Sequence, residues 1–325
     1  MIALAITGPT ASGKTSLSLA LAESIGAEII SCDSMQIYKY MDIGTAKATD
    51  EERARAPHHM IDFLSPFESY SAECYRADAL KCAEDITSRG KIPLFVGGTG
   101  LYIDTVMRGV SADAPESSPE YRERMLDIAA GEGGAHALWE RLYEVDPDSA
   151  EKIHENNVKR VIRALEIFDA TGVPKSVLDK QSQTVPSDIS VGMITLDLHN
   201  RENLYARVDA RVDIMINDGL VDEVRRMYEM GFLDGTTTAS QAIGYKEILP
   251  YVKGEATLAE STELLKLSSR RYAKRQLTWF RHETDARRVY LDTEDGVMRS
   301  FCELECEIIR IANEILDDYK RKGKA

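Results

Sequence analysis

One octapeptide constrains this chain more than anything else in it: GPTASGKT, residues 8–15, set between an apolar run and an amphipathic one. It fits G-x-x-x-x-G-K-[ST] in the strand, turn and helix setting that the pattern requires. Residues 2–6, IALAI, are continuously apolar, as in a strand buried on both faces of a parallel sheet. From Lys14 on, Leu17, Ala20, Leu21 and Ile25 fall on one helical face, and Gly26 supplies the stop. The turn formed by Gly8, Pro9, Thr10, Ala11, Ser12, Gly13, Lys14 and Thr15 is therefore predicted to bind a di- or triphosphate. Its glycines let backbone N–H groups face the phosphate, the helix N-terminus adds positive dipole, Lys14 adds a point charge, and Thr15 can hold Mg²⁺.

The alternation continues downstream. Residues 27–32, AEIISC, read as a second strand that delivers Asp33 to its carboxyl end. Ser71 caps a predicted helix through Ser88, with Tyr75, Ala79, Ala83 and Ile86 on one face, Gly90 as stop, and residues 92–96, IPLFV, as the next strand. Strands alternating with helices predict an α/β chain with a P-loop NTPase-like, doubly wound, mostly parallel sheet. Residues 113–190 depart from this pattern, with helix-like stretches and no convincing strand, and read as a helical insertion between core parts at 1–112 and 191–325. Residues 191–198 return to a strand pattern, 201–230 read as helical, and 288–292 as a further strand. Val297, Phe301, Leu304, Ile308, Ile311 and Ile315 step by three and four, which predicts a C-terminal helix packed on the core.

Composition removes whole classes of function. At 325 residues, with 43% hydrophobic and 29% charged side chains, the chain is neither disordered, collagen-like nor membrane-embedded. A net charge of −14 argues against sequence-independent coating of nucleic acid, while leaving room for a local basic groove. The 5 cysteines form no C-x-x-C pair and the 6 histidines show no metal spacing, so reduced thiols and no zinc are expected. Without an apolar run long enough to span a bilayer or a signal-peptide pattern, a cytoplasmic monomer is the expectation.

What the P-loop does with its phosphate turns on an acid. Hydrolytic P-loop proteins place a carboxylate after an apolar strand to help hold Mg²⁺, yet residues 92–96 run into Gly97, Gly98, Thr99 and Gly100. The acid at a strand end is Asp33, within DSMQIY, where open α/β sheets bind ligands. Spacing alone allows it to be a base, a metal partner or a helix cap. Arg211 is similarly open: a phosphate donor, or part of a solvated helix face with Arg207 one turn earlier and Asp213 nearby.

GPTASGKT is followed in order by DSMQIY, GTAK (44–47), PHHMID (57–62), GGTGLY (97–102), NVKRVIRALE (157–166), RVDIMINDGLVDEV (211–224), QAIGYKE (241–247) and RRYAKRQLTWFR (270–281). The series spans nearly the whole chain and resembles the bacterial tRNA dimethylallyltransferases, the tRNA isopentenyl-diphosphate transferases. The resemblance implies transfer of a dimethylallyl group from dimethylallyl diphosphate to the exocyclic N6 amine of the adenosine 3′ of the anticodon. Diphosphate leaves, the bond broken is carbon to oxygen, and no hydrolytic acid is needed.

On that likeness Asp33 takes the amine proton, while the P-loop amides, Lys14, Arg211 and Mg²⁺ at Thr15 stabilise the leaving group; Thr99, in the glycine-rich turn, either touches a diphosphate oxygen or simply forms the turn. The likeness further implies a tRNA site lined by Asp33, Ser34, Met35, Gln36, Thr99, Lys159, Arg160, Val161, Ile162, Arg163, Gln241, Ala242, Ile243, Gly244, Tyr245 and Lys246, with Gln36 contacting a base. The insertion would clamp the anticodon stem-loop. Residues 270–288 add a basic run, Arg270, Arg271, Lys274, Arg275, Arg281, Arg287 and Arg288, interleaved with Tyr272, Trp279 and Phe280 for packing or stacking. Competing readings are an adenylate isopentenyltransferase acting on free AMP or ATP, a small-molecule kinase, and an RNA-binding protein whose P-loop only switches shape.

Overall fold

A computed structural model describes residues 1–107, 118–184, 189–235 and 237–323. The chain divides into two compact units, residues 1–107 with 188–325, and residues 108–187. The first unit begins with β1 (Ile2–Thr7), α1 (Lys14–Ile25), β2 (Ala27–Ser31), α2 (Asp50–Arg55), β3 (His58–His59), α3 (Ala72–Ser88), β4 (Ile92–Gly97) and α4 (Gly100–Met107). The second unit contributes α5 (Pro119–Ala130), α6 (Gly134–Val145), α7 (Pro147–Ala150), α8 (Val158–Thr171) and α9 (Lys175–Thr184), and no strand among its described residues. The first unit then resumes with β5 (Ser190–Asp197), α10 (Arg201–Asn217), α11 (Leu220–Glu229), α12 (Tyr245–Val252), α13 (Leu258–Arg281), β6 (Arg287–Tyr290) and α14 (Phe301–Arg321).

The six strands form one sheet in the order β3-β2-β4-β1-β5-β6, and every pairing is parallel. Central β1 is buried from Ala3 to Thr7, as its uninterrupted apolar run requires. Strand alternation sends Leu4 and Ile6 into a core with Leu17 and Leu21 of α1 and Ile308, Ile311 and Ile315 of α14. Ala3 and Ala5 face the other way, toward Tyr75, Ala79, Ala83 and Ile86 of α3 and Tyr102 and Ile103 of α4. Helices thus cover both faces, the doubly wound arrangement. A third core joins α10, α11 and α12 through Val212, Leu220, Val224, Met227, Tyr245 and Ile248. The second unit packs around Met125, Leu138, Leu142, Val161, Ile162 and Leu165.

Several boundaries differ from expectation for local reasons. The stretch 201–230 is two helices, because the chain breaks at Asp218-Gly219, and Gly219 turns left-handed at φ 101°, a conformation glycine adopts freely. Strand β2 stops at Ser31, one residue early; β5 starts at Ser190, inside the expected insertion; β6 lies one residue upstream of its expected start. The C-terminal stripe begins at Leu304, since Ser300 caps α14 in a capping box with Glu303 and leaves Val297 and Phe301 exposed. No helix among the described residues is long and apolar enough to cross a membrane.

Candidate active site

The loop after β1 carries two strained or unguarded features that suit an anion. Helix α1 has no side-chain N-cap and no acid in its first turn, so its N-terminal N–H groups and positive dipole are left for something else. Ala11 sits at φ 61°, a region other residues than glycine rarely occupy. The loop is pinned from outside: Thr10 N–H donates to Gln276 Oε1 at 2.8 Å, and Arg207 Nε donates to Ala11 O at 2.8 Å. Lys14 Nζ folds over the loop, donating to Gly8 O at 2.9 Å and Pro9 O at 2.6 Å. Burial, and then the neighbouring Arg211 charge, pull the Lys14 pKa down to about 7, with Asp33 opposing them.

A cavity of about 440 Å³ lies over this loop and a second of about 280 Å³ lies beside it. Both are lined by Thr10, Asp33, Thr45, Arg211, Met215 and Tyr272, so Asp33 and Arg211 stand where the phosphate side meets its neighbour. Asp33 also borders a smaller space of about 60 Å³ with Lys14, Thr15 and His58. Its Oδ1 accepts from Met35 N–H at 2.9 Å, so it caps the turn after β2, not a helix. Burial raises its pKa, against the Met35 N–H bond, Lys14, the Gln36 N–H and Arg211. A carboxylate raised in this way accepts a proton more readily than an exposed one.

Arg211 is not on a solvated face. Its Nε is buried with no hydrogen-bond partner, and burial lowers its pKa despite Asp33 and Glu52. Asp213 is instead paired with Lys266 at 2.7 Å. Thr99 sits beside Asp33: its Oγ1 accepts from Ser34 N–H at 3.1 Å, and its own N–H donates to Cys32 O at 3.1 Å. The hydroxyl therefore joins the β4 turn to the β2 turn, and no P-loop atom is among these partners.

Two supporting residues escaped the sequence reading. Gln276 Nε2 donates to Gly98 O at 2.9 Å while its Oε1 holds Thr10, so one amide joins the glycine-rich turn to the P-loop. A Cβ on Gly98 would lie 2.1 Å from Gln276 Nε2, so a side chain there would push the Gln276 amide off its present position between the two turns. Glu223 is 1% exposed and accepts from the backbone N–H groups of Asp42 (3.1 Å), Ile43 (2.8 Å) and Gly44 (3.0 Å) and from the Tyr245 hydroxyl (2.6 Å). Each is a polar residue on an otherwise apolar helical stripe, Gln276 with Ala273, Leu277 and Phe280, Glu223 with Leu220, Val224 and Met227, and that contrast was the available signal. Glu223→Gln turns an N–H₂ group against these donors and is expected to lower stability by about 2–3 kcal/mol in urea unfolding. A loss below about 0.5 kcal/mol would show that the 42–44 loop holds itself.

A family model described as IPP transferase matches residues 36–283, and one described as isopentenyl transferase matches residues 1–59. A tRNA dimethylallyltransferase of Bacillus mycoides (strain KBAB4) is 48% identical over 292 residues, 90% of either chain. One from Acetivibrio thermocellus is 49% identical over 281 residues, 86% of this chain and 88% of its own. The chain belongs to the tRNA dimethylallyltransferase family. Among solved structures, the full-length tRNA isopentenylpyrophosphate transferase of Bacillus halodurans superposes with a TM-score of 0.72 at 38% identity, covering 100% of this chain and 99% of that one. A eukaryotic dimethylallyltransferase acting on tRNA gives 0.74 at 31% identity, over 89% of this chain and 73% of that one.

The positions that family likeness assigns to RNA separate into two kinds. Ser34, Met35, Gln241, Ala242, Ile243, Gly244 and Lys246 line the second cavity with Asp33. Others are structural. Gln36 lines the phosphate-side cavity and the smaller space beside it, and its amide is engaged within the protein, Oε1 accepting from Ser31 Oγ and Nε2 donating to Thr45 O and Ala46 O. Val161 and Ile162 are core residues of the second unit, and Tyr245 is buried against Glu223, so none offers a side-chain face to RNA. Arg163 is drawn to Glu166, which Arg122 also holds, leaving Lys159 and Arg160 as the exposed part of that strip. In the basic run, Arg270 pairs with Asp209, and Arg281 and Arg288 reach Asp197, while Arg271, Lys274, Arg275 and Arg287 are exposed.

Proposed function

We propose that this chain transfers a dimethylallyl group from dimethylallyl diphosphate to the N6 amine of the adenosine 3′ of the tRNA anticodon, with release of diphosphate. The observation that carries this reading is the position of Asp33 and Arg211, common to the walls of the phosphate-side cavity and its neighbour. A donor gripped by its diphosphate would have its carbon to oxygen bond at that junction. The P-loop amides, Lys14 and Arg211 would stabilise the charge that grows on the leaving group, the interaction that is stronger in the transition state than before it. Asp33 would take the proton of an amine whose lone pair is delocalised into its ring and which is otherwise a weak nucleophile.

The donor set also suits Mg²⁺, a hard ion that takes oxygen ligands, keeps several waters and is held by few protein groups together with phosphates. Thr15 would hold it, on a cavity wall that Asp33 also borders, and when bound it neutralises part of the diphosphate charge. Each unit offers exposed cations to RNA phosphates, Arg271, Lys274, Arg275 and Arg287 on the first and Lys159 and Arg160 on the second. We place the protein in the cytoplasm as a monomer. The experiment supplies Mg²⁺ and dimethylallyl diphosphate with unmodified tRNA, AMP, or ATP plus small acceptors, and weighs the adenosine products. Prenylated adenosine is expected from tRNA alone. Product from AMP, or brisk ATP cleavage without prenyl transfer, would overturn the reading.

A further inference from the structure

We propose that Arg207 is a positioning residue for the diphosphate, holding the P-loop from behind in the shape that receives the anion. The proposal rests on the diphosphate reading above. Arg207 is on α10 one turn before Arg211, so both guanidinium groups issue from one helix face. Arg211 borders the phosphate-side cavity; Arg207 is not among its lining residues. Its Nε donates to Ala11 O at 2.8 Å, and its Nη2 lies alongside Gly13 at the van der Waals distance a side chain there would have.

That grip has a directional consequence. A peptide unit is planar, so fixing the Ala11 carbonyl fixes the opposed N–H of Ser12. It also holds Ala11 at φ 61°, where the isolated residue would not stay. The groups set by this peptide are under-used within the protein. Ser12 N–H reaches Pro9 O only at 3.4 Å, beyond the ordinary range, and Ser12 Oγ, in a residue 2% exposed that lines the cavity, has no partner. The charge is unbalanced as well. Arg207 is half-buried and makes no ion pair among the described residues, and burial alone accounts for the direction of its pKa, downward. Both guanidinium groups issue from one helix face beside an uncapped helix N-terminus, so positive charge gathers around the loop that receives the anion.

The test titrates the full-length protein with inorganic diphosphate by calorimetry and measures KM and kcat for dimethylallyl diphosphate and tRNA, in wild type, Arg207→Gln and Arg207→Lys. Arg207→Gln is expected to weaken diphosphate binding about tenfold and raise the KM for dimethylallyl diphosphate by a similar factor, the loss of one charge-assisted bond. The KM for tRNA should stay within about twofold, and the melting temperature without diphosphate within about 2 °C. Arg207→Lys, which keeps the charge and can donate to Ala11 O but lacks the planar guanidinium, should recover to within about threefold of wild type. Diphosphate affinity in Arg207→Gln within twofold of wild type would overturn the proposal, as would equal losses for both substrates. If Arg207→Gln does not fold, a threefold loss in Arg207→Lys supports the proposal and wild-type affinity refutes it. Wild type failing to bind diphosphate would instead sink the underlying functional reading.

Discussion

Replacing Asp33 with asparagine is expected to lower turnover about 10²–10⁴-fold while affinity for diphosphate stays within about threefold of wild type. The substitution keeps an oxygen for the Met35 N–H bond, so the turn after β2 is preserved and only the ability to take a proton is lost. Single-turnover prenylation of tRNA with labelled donor reads the first quantity and calorimetry with diphosphate the second. Because burial raises the Asp33 pKa, the wild-type acid limb of kcat/KM should lie above the ordinary aspartate range, with activity lost as pH falls through it. The asparagine variant should show no such limb. Equal losses of turnover and affinity would mean that Asp33 holds the donor, not the proton.

Lys14→Ala is expected to reduce both, weakening diphosphate binding and turnover each by roughly 10²-fold, since the ammonium faces charge that is present in the ground state and grows in the transition state. The pH dependence carries the finer test. With its pKa pulled down to about 7, Lys14 in the unliganded protein loses its proton as pH rises through neutrality. Diphosphate must then recapture that proton on binding, so wild-type affinity should decline above about pH 7, with proton uptake in buffers of different ionisation enthalpy. The alanine variant should lose the Lys14 part of this decline and keep only the pH dependence that comes from ionisation of the diphosphate itself. An unchanged slope would assign the pH effect to another group.

The sequence made the scaffold legible wherever the physics is local. The continuous apolar run of β1 and the Ser71 cap of α3 each depend on near neighbours, and the structure has both. Helix α1 forms where expected but is buried continuously from Leu17 to Ala22, wider than the single stripe expected, with Ile25 only partly covered. Asp33 was legible as a strand-end acid, though spacing could not choose among its roles. What stayed hidden is what holds the loops. Gln276 acts through Thr10, 266 residues away, and Glu223 through Ile43, 180 residues away, and no local period reports such a partnership. Arg207 looked like surface because its neighbour on the other side is a backbone carbonyl, invisible in any pattern of side chains. Val161 and Ile162 erred in the opposite sense: a likeness over a run of residues carried them toward RNA although their helical phase already turned them inward.

The bond from Thr10 to Gln276 sets an order of events during synthesis. The P-loop segment cannot finish its own ligand cradle until Gln276 on α13, 266 residues downstream, has been made and has packed back onto it. Closing so long a loop is slow relative to local helix formation. A nascent chain stalled before α13 would expose a glycine-rich loop without its Gln276 anchor, and competence to hold a substrate would arrive only once that helix is in place.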